Sequence, residues 1–496
     1  MNAGQRGFDN EKYITEQTAE ILQRVERFNN KLYLEFGGKL LYDYHAARVL
    51  PGYDPNVKMR LIKELKDRAD ILLCIYAGDI ERKKIRADFG ITYDTDAMKL
   101  IDDLRGWNIN VMGVVITRFE NQPSAVLFKN KLERRGIRVF THRFTKGYPT
   151  NVDMIVSDEG YGVNDYIPTE KPLVIVTGPG PGSGKLATCL SQLYHDYKRG
   201  VKSGYAKFET FPIWNLPLNH PVNIAYEAAT VDLDDVNVID PFHLEAYGQS
   251  TVNYNRDIEI FPVLNAIFMK IWGKSPYKSP TDMGVNMAGH CITDDEVVQA
   301  AARQEIIRRY FTALCEARKG QVTEETVDKQ RLLMQKLNLT EEERPVVAAA
   351  RKRADQTGAP AAAILLEDGQ IVTAKTSSLL GASAALILNS LKKLAGIPKE
   401  IKLIPPEVIG PVQSLKLDYL GNHNPRLHSD EVLVALSITA GESETAALAL
   451  SQLPRLKGCE VHTSVILSHV DENIFKRLGV NLTSEPKYQT RKLYHK

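Results

Sequence analysis

The residues best suited to chemistry stand together in Leu173-Val-Ile-Val-Thr-Gly-Pro-Gly-Pro-Gly-Ser-Gly-Lys185. An apolar strand, a glycine-rich turn and a helix, in that order, make an anion cradle. Successive backbone N–H groups point inward, the helix N-terminus adds partial positive charge, and a lysine neutralises phosphate. Pro179 and Pro181 carry no N–H, so with Gly178 opening the turn the donors are Gly180, Gly182, Ser183, Gly184 and Lys185. The spacing departs from the P-loop pattern Gly-x4-Gly-Lys-Ser/Thr. Gly178 precedes Gly184 by six positions, Pro179 stands where the first glycine belongs, and Leu186 replaces the hydroxyl residue that would hold Mg²⁺. The plain alternative is a tight strand-to-helix turn with a solvated lysine.

A phosphate loop of this kind works with an acidic residue at the end of a second strand, which holds the Mg²⁺ shell. Val236-Asn-Val-Ile-Asp240 has that form, and Asp240 is the single weak metal candidate; an N-cap for the next helix explains it too. Ser279-Pro-Thr-Asp282-Met-Gly-Val-Asn286, followed by His290 and Cys291, is a polar loop at a domain junction, where ligand sites are common. Asp282 and His290 therefore join Lys185 and Asp240 as catalytic candidates, with Asn286 as a polar group. Cys291 has no third orienting group and reads as a buried cysteine.

Glu81–Asp88 concentrates charge after an apolar strand, where open α/β sheets bind ligands, although a solvated helix face is the simpler reading. Lys375-Thr-Ser-Ser378 and Gly381-Ala-Ser383 lead into a helix as a second anion-site candidate, or as a cap. His423, His428, Asp430 and Glu431 share one loop and are metal-capable, with Asp430 equally an N-cap. No His-Glu-x-x-His and no Gly-x-Ser-x-Gly occurs, which argues against peptidases of those types.

These residues need a scaffold, and the first half supplies one by alternating apolar runs with helical patterns, the signature of a mostly parallel sheet. Strands are expected at 31–36, 71–76, 111–117, 138–144 and 172–177, and helices at 57–68, 96–107, 124–135 and from Lys185. Thr293-Asp-Asp-Glu296 has capping-box spacing and opens helix-forming stretches over 297–318 and 324–337. Further on, Asp368-Gly369 predicts a hairpin, followed by helices at 383–395, 431–438 and 445–453 and a strand at 461–467. The expected class is α/β: a mostly parallel three-layer domain over 1–275 with its P-loop-like turn at 177–186, a small helical subdomain over 276–345, and a C-terminal α/β subdomain over 346–496. The 496 residues suit about three domains.

Lysine and arginine total 63 against 61 acids, a net charge of +2, which argues against a dedicated nucleic-acid binder. The N-terminus lacks the apolar core of a signal peptide, and no apolar run reaches the roughly 18 residues of a membrane helix. Five scattered cysteines fit neither a disulfide framework nor a zinc site. A cytoplasmic location without a membrane partner is expected.

Gly7-Phe-Asp-Asn-Glu-Lys-Tyr13, Tyr277-Lys-Ser-Pro-Thr-Asp-Met-Gly-Val-Asn286, Lys375-Thr-Ser-Ser-Leu-Leu-Gly-Ala-Ser383, Leu427-His-Ser-Asp-Glu431 and Val470-Asp-Glu-Asn-Ile-Phe475 together resemble a bacterial family. It is known as uncharacterised protein family 0371, or domain of unknown function 1846, and the likeness extends to Glu485-Pro-Lys-Tyr488. The resemblance implies a multidomain α/β fold with a helical insert and a separate C-terminal subdomain. Some members are labelled ATP-dependent peptidases; the family brings no catalytic residues to carry over. The loop alone resembles that of P-loop synthetases of the CTP synthase type.

The expected partner is a phosphorylated small molecule, with ATP or another nucleotide and Mg²⁺ at Gly178–Lys185 serving phosphoryl transfer or ATP-dependent ligation. A non-catalytic sensor or scaffold using the same loop is one rival. A phospho-metabolite enzyme without a nucleotide is another, favoured by the missing hydroxyl after Lys185. A homo-oligomer is compatible with all three.

Overall fold

The computed structural model describes residues 6–86 and 90–489. They group into two compact units, Arg6–Glu227 with Leu233–Val298, and Ala228–Asp232 with the chain from Gln299 onward. The helices expected as a separate subdomain exist as Asp295–Arg318 and Glu324–Lys336, but from Gln299 on they group with the C-terminal sheet. Helix Asp295–Arg318 is capped by Asp294, whose Oδ1 accepts from Val297 N at 3.1 Å. The cap therefore falls one residue after the expected Thr293.

The larger unit is built on seven strands: Leu32–Phe36 (β1), Ala69–Tyr76 (β2), Val111–Thr117 (β3), Val139–His142 (β4), Leu173–Thr177 (β5), Gly204–Phe208 (β6) and Gly284–Val285 (β7). Their order is β7-β6-β1-β5-β2-β3-β4, and every neighbouring pair is parallel. Successive side chains of a strand point to opposite faces, so a sheet covered on both sides needs continuous apolar runs. Leu73, Ile75, Val114 and Ile116 pack on one face with Ala97, Met98 and Ile101 of helix Tyr93–Gly106 (α1) and Phe128 and Leu132 of Pro123–Arg134 (α2). Leu72, Cys74, Val115, Val174 and Val176 pack on the other with Cys189, Leu190 and Leu193 of Lys185–Lys198 (α3) and Phe261, Leu264 and Phe268 of Asn255–Trp272 (α4).

The path of the chain decides where a site belongs. β2 connects to β3 through α1 on one face, whereas β5 connects to β6 through α3 on the other. Because β5 and β2 are neighbours, the loops leaving their carboxyl ends diverge and open a crevice, the usual ligand position in open α/β sheets. The edge strand β7 was not visible as a strand in the polar 279–286 loop. Gln17, on helix Asn10–Arg27, holds this segment by donating to the Val285 carbonyl at 2.8 Å and accepting from Met287 N at 2.8 Å.

In the second unit Ala361–Leu365 (β8), Ile371–Lys375 (β9), Glu460–Thr463 (β10) and Asn481–Ser484 (β11) form a sheet in the order β9-β8-β10-β11. β8 and β9 are the expected hairpin, with Gly369 at φ +80°. β10 is shorter than expected: Ile466 and Leu467 stay buried but leave the ladder and lead into helix His469–Leu478. Arg344, wholly buried at the start of helix Pro345–Thr357, locks this sheet. Its guanidinium pairs with Glu460 and donates to the carbonyls of Val461 at 3.2 Å and Asn481 at 2.7 Å and to Thr483 Oγ1 at 3.0 Å. Arg344→Ala would strip the Glu460 carboxylate of its cation and take a donor from the Val461 and Asn481 carbonyls, and should cost the C-terminal unit about 3–5 kcal/mol. Urea denaturation followed by far-UV circular dichroism should show a transition moved to lower urea, and an unmoved curve would refute this role.

Candidate functional site

The chain leaves β5 at Thr177 and turns through Gly178–Gly184 into α3. Gly184, the N-cap of α3, has φ +91° and Gly182 has φ +72°, backbone conformations that glycine adopts without strain. Neighbours explain other glycines. A Cβ on Gly178 would stand 2.5 Å from the Cys74 carbonyl oxygen, one on Gly180 2.7 Å from the Tyr93 ring, and one on Gly184 2.7 Å from the Thr117 side chain.

The ends of β2 and β3 hold this turn in place. Thr117 Oγ1 donates to the Ser183 carbonyl at 2.8 Å, and the Arg118 guanidinium donates to the Gly182 carbonyl at 2.6 Å. Arg118 lies 3.9 Å from the centre of the Tyr76 ring and has φ +50°, which is uncommon for a residue with a side chain. Lys185 is folded back over the turn, its Nζ 3.4 Å from the Gly180 carbonyl and 3.5 Å from Ser183 Oγ. Lys84 sits 4.9 Å from the Tyr93 ring centre and Arg82 5.9 Å from that of Tyr76, so part of the charged segment Glu81–Asp88 reaches the crevice. Ala87 and Asp88 of that segment lie outside the described residues. The Thr177 hydroxyl, wholly buried directly before the turn, has no hydrogen-bond partner among the described residues.

The other sequence candidates fall elsewhere. Strand Asn237–Ile239, which Asp240 follows, pairs antiparallel with Val252–Tyr254 and is outside the parallel sheet. Asp240 is fully buried and caps helix Pro241–Tyr247; Oδ1 accepts from His243 N at 3.0 Å and Oδ2 from Thr281 Oγ1 at 2.6 Å. Both oxygens thus serve to tie that helix to the 279–285 segment. Asp282 joins the same cluster, accepting from Tyr247 OH at 2.9 Å and Lys278 N at 2.8 Å. Ser279 Oγ and Asp282 Oδ1 lie 2.9 and 3.8 Å from His243 Nδ1. Those are the residue types of a hydrolytic triad, but serine and carboxylate approach one ring nitrogen instead of opposite ones, so no relay forms. Asn286 is used structurally, donating to the Pro212 carbonyl at 2.9 Å. The His290 imidazole is exposed on the turn Ala288–Cys291. Burial, with Glu16 nearby, pushes the Cys291 thiol up to about 12, which leaves it inert at neutral pH.

Sequence reasoning missed a charged cluster inside the fold. Lys207 of β6 pairs with Asp257 at the start of α4 and with Glu209 at 2.7 Å. Beside Lys207 in register stands Glu35 of β1, which accepts from Tyr205 OH at 2.8 Å. Burial would strip charge from Lys207, but Asp257, Glu209 and Glu35 outweigh it and keep the ammonium charged. Burial pushes the Glu209 carboxyl up to about 7 against the pull of Lys207, with Asp257 adding to the rise. The available signal was one charged residue inside each apolar strand, in Leu32-Tyr-Leu-Glu-Phe36 and Gly204-Tyr-Ala-Lys-Phe208.

In the second unit, Ser377 Oγ accepts from Leu379 N at 3.2 Å and Leu380 N at 3.0 Å, so the 375–383 loop spends this hydroxyl on itself. Gly381, not Ser383, caps helix Ala382–Leu394. Helix Ser429–Ala440 is capped by His428, whose backbone N–H donates to Glu431 at 2.7 Å; Asp430 lies in the first turn. His428 Nδ1 is 2.9 Å from Asp471 Oδ2, and Ser429 Oγ donates to Asp471 Oδ1 at 2.6 Å. Among the described residues no three His, Cys, Asp or Glu side chains stand placed to hold a metal ion, and no helix is long and apolar enough to cross a membrane.

The seven-stranded parallel sheet and the C-terminal sheet define an α/β protein of more than one compact unit. The chain belongs to the DUF1846 family: "Domain of unknown function DUF1846, N-terminal" matches residues 6–338 and its C-terminal counterpart residues 342–494. A UPF0371 protein of Streptococcus thermophilus (strain CNRZ 1066) is 56% identical over 491 residues, 99% of either chain. Another, of Streptococcus pyogenes serotype M5 (strain Manfredo), is 56% identical over 489 residues, again 99% of either chain.

The His428–Asp471 pair has a pH signature. Its hydrogen bond to Asp471, working against burial, raises the His428 imidazole above its ordinary 6.5. Burial would raise Asp471, but hydrogen bonds from His428 and Ser429 outweigh it and hold the carboxyl at about 2. The carboxylate's contribution is present above its ordinary 3.8 and lost toward 2; the imidazolium's is complete below 6.5 and lost as pH rises through the raised value. Asp471→Asn should therefore cost most between these limits, about 2 kcal/mol at pH 5–6, and less at pH 9. Urea denaturation of both proteins at the two pH values checks this; an equal loss at both would exclude an ion pair.

Proposed function

We propose that the chain binds a phosphorylated small molecule, a nucleotide or another phospho-metabolite, at the Gly178–Lys185 loop. The observation that carries this reading is the loop's place at the divergence of β5 and β2, where Lys185 folds back over the turn and Arg118, Lys84 and Arg82 lie against the rings of Tyr76 and Tyr93. Several cations beside a glycine-rich turn, two of them also paired with the buried Asp79, favour a dianionic or more highly charged ligand over a single carboxylate. The half-buried Tyr76 ring adds apolar surface beside the charge, as a base or sugar needs, while Tyr93 is packed into the core. Phosphoryl transfer or ligation is the chemistry such a site supports, through positioning and charge stabilisation.

A phospho-metabolite without a nucleotide is favoured by one detail, the side chain of Leu186. It packs against the apolar core, at the position where a P-loop offers a hydroxyl to the metal.

Removing one charge-assisted contact from a phosphate costs about 1.5–3 kcal/mol, so Lys185→Ala should weaken binding roughly 10- to 100-fold. Calorimetry with ATP, inorganic tripolyphosphate and a hexose phosphate measures it, with circular dichroism to verify the fold. Equal affinity of Lys185→Ala and wild type for every probe would end this reading.

A further inference from the structure

The missing hydroxyl at Leu186 asks where a cation accompanying phosphate would be held, and the parallel sheet offers a neighbour. β1 lies directly beside β5, with Glu35 in register with Val176, two residues before the turn begins. Glu35 stands on the face that carries α3, since Tyr33 of its own strand and Tyr205, the partner of Tyr33 in β6, pack with Cys189 and Leu193 of that helix. Both Glu35 and Lys185, the first residue of α3, act on the same two buried thiols. At Cys74 and at Cys189, where burial is the main cause of a raised thiol, Lys185 lowers the value and Glu35 raises it. The carboxylate and the loop lysine thus act with opposite sign on the same two thiols, one in β2 and one in α3.

Glu35 also carries fewer direct side-chain bonds than its acidic neighbours, although it lies beside Lys207 and helps to keep that ammonium charged. Asp257 and Glu209 are taken up by Lys207, whereas Glu35 accepts one side-chain hydrogen bond, from Tyr205 at 2.8 Å, and is only half-buried. Asp240 has both oxygens engaged inside another sheet. Mg²⁺ binds typically through one or two carboxylates, several waters and the phosphates of its ligand. Such a site shows no three-ligand cluster before the ligand arrives, in keeping with the described residues.

We propose that Glu35 is the acidic partner of the Gly178–Lys185 loop, holding a divalent cation chelated by a di- or triphosphate ligand. This rests on the phosphate reading of the loop and narrows it: the ligand class is a metal-chelated polyphosphate, not a lone phosphate ester. Cations alone would bind the chelate less well than the free polyphosphate, because Mg²⁺ cancels two of its negative charges. A carboxylate contacting the metal reverses that order.

The test is calorimetry with inorganic tripolyphosphate and with ATP, each with Mg²⁺ and with EDTA, on wild type, Glu35→Gln, Glu35→Asp and Lys185→Ala. Wild type should bind the probes at least about tenfold tighter with Mg²⁺. Glu35→Gln, which keeps the size and an acceptor for Tyr205, should lose that enhancement and retain the affinity measured in EDTA; Glu35→Asp should recover part of the enhancement. Electron paramagnetic resonance with Mn²⁺ and tripolyphosphate gives a second readout, loss of the free-ion signal with wild type but not with Glu35→Gln. An enhancement equal in wild type and Glu35→Gln, or absent from wild type, overturns the inference while leaving the loop reading intact. So does a Glu35→Gln protein that loses affinity equally in EDTA. Lys185→Ala binding as well as wild type in both media would remove the loop reading itself.

Discussion

The insertion of β5 between β1 and β2 is the constraint on which the rest depends. β5 is an apolar strand buried on both faces, so it is held by packing from two helical layers and by ladders on both sides. The chain reaches this central slot only after β2, β3 and β4 have been laid toward one edge, and it then leaves for the other. That reversal sends the loops after β2 and β5 to opposite faces and collects Tyr76, Tyr93, Thr117 and Arg118 around one glycine turn. Moving β5 by one residue would exchange its two faces, turning Val174 and Val176 away from α3 and Glu35 out of register with the turn.

Charge at this end of the sheet is sorted by the same insertion. On the β2 side of β5 stand Arg82, Lys84 and Arg118 over two aromatic rings, with the buried Asp79 paired to the first two. On the β1 side stand Glu35, Glu209 and Asp257 around Lys207. Burial, opposed by Lys207, pushes the Glu209 carboxyl up and so disfavours a full negative charge on the acidic side. Burial of that group limits how much repulsion the cluster exerts on an arriving anion.

Much of this architecture was legible in the sequence, for definite reasons. The strands 111–117 and 173–177 are apolar on both faces, and the Asp368-Gly369 turn admits positive φ, so pattern alone locates them. The short edge strand Gly284–Val285 was not legible, because two residues carry no periodicity, and it is fixed by Gln17 from a distant helix. Asp240 shows the limit of motif logic: an apolar run ending in Asp specifies a strand end, but not which sheet the strand joins. Glu35 was overlooked because one acid in an apolar strand looks like a boundary residue until its neighbours in the sheet are known. The pairing of His243 with Ser279 and of Asp471 with His428 arises through tertiary contact, 36 and 43 positions apart in the chain.

The glycines of the turn do not all argue for a ligand. Gly178, Gly180 and Gly184 are each required by a neighbour closer than 3 Å to the side chain they lack, so packing alone would select them. Gly182 differs: a Cβ there would meet nothing within 4 Å, and only its φ of +72° calls for glycine. Its carbonyl is held by Arg118, a residue itself in a left-handed conformation. Such conformations persist where the surroundings over-determine them, and they gather at ligand clamps. The left-handed pair Gly182 and Arg118, joined by one hydrogen bond across β3 and β5, thus fixes the turn's outer rim before any ligand arrives. A rim already built leaves less ordering to be done on binding, and the one long side chain left to move is Lys185, whose two contacts are the longest in the turn.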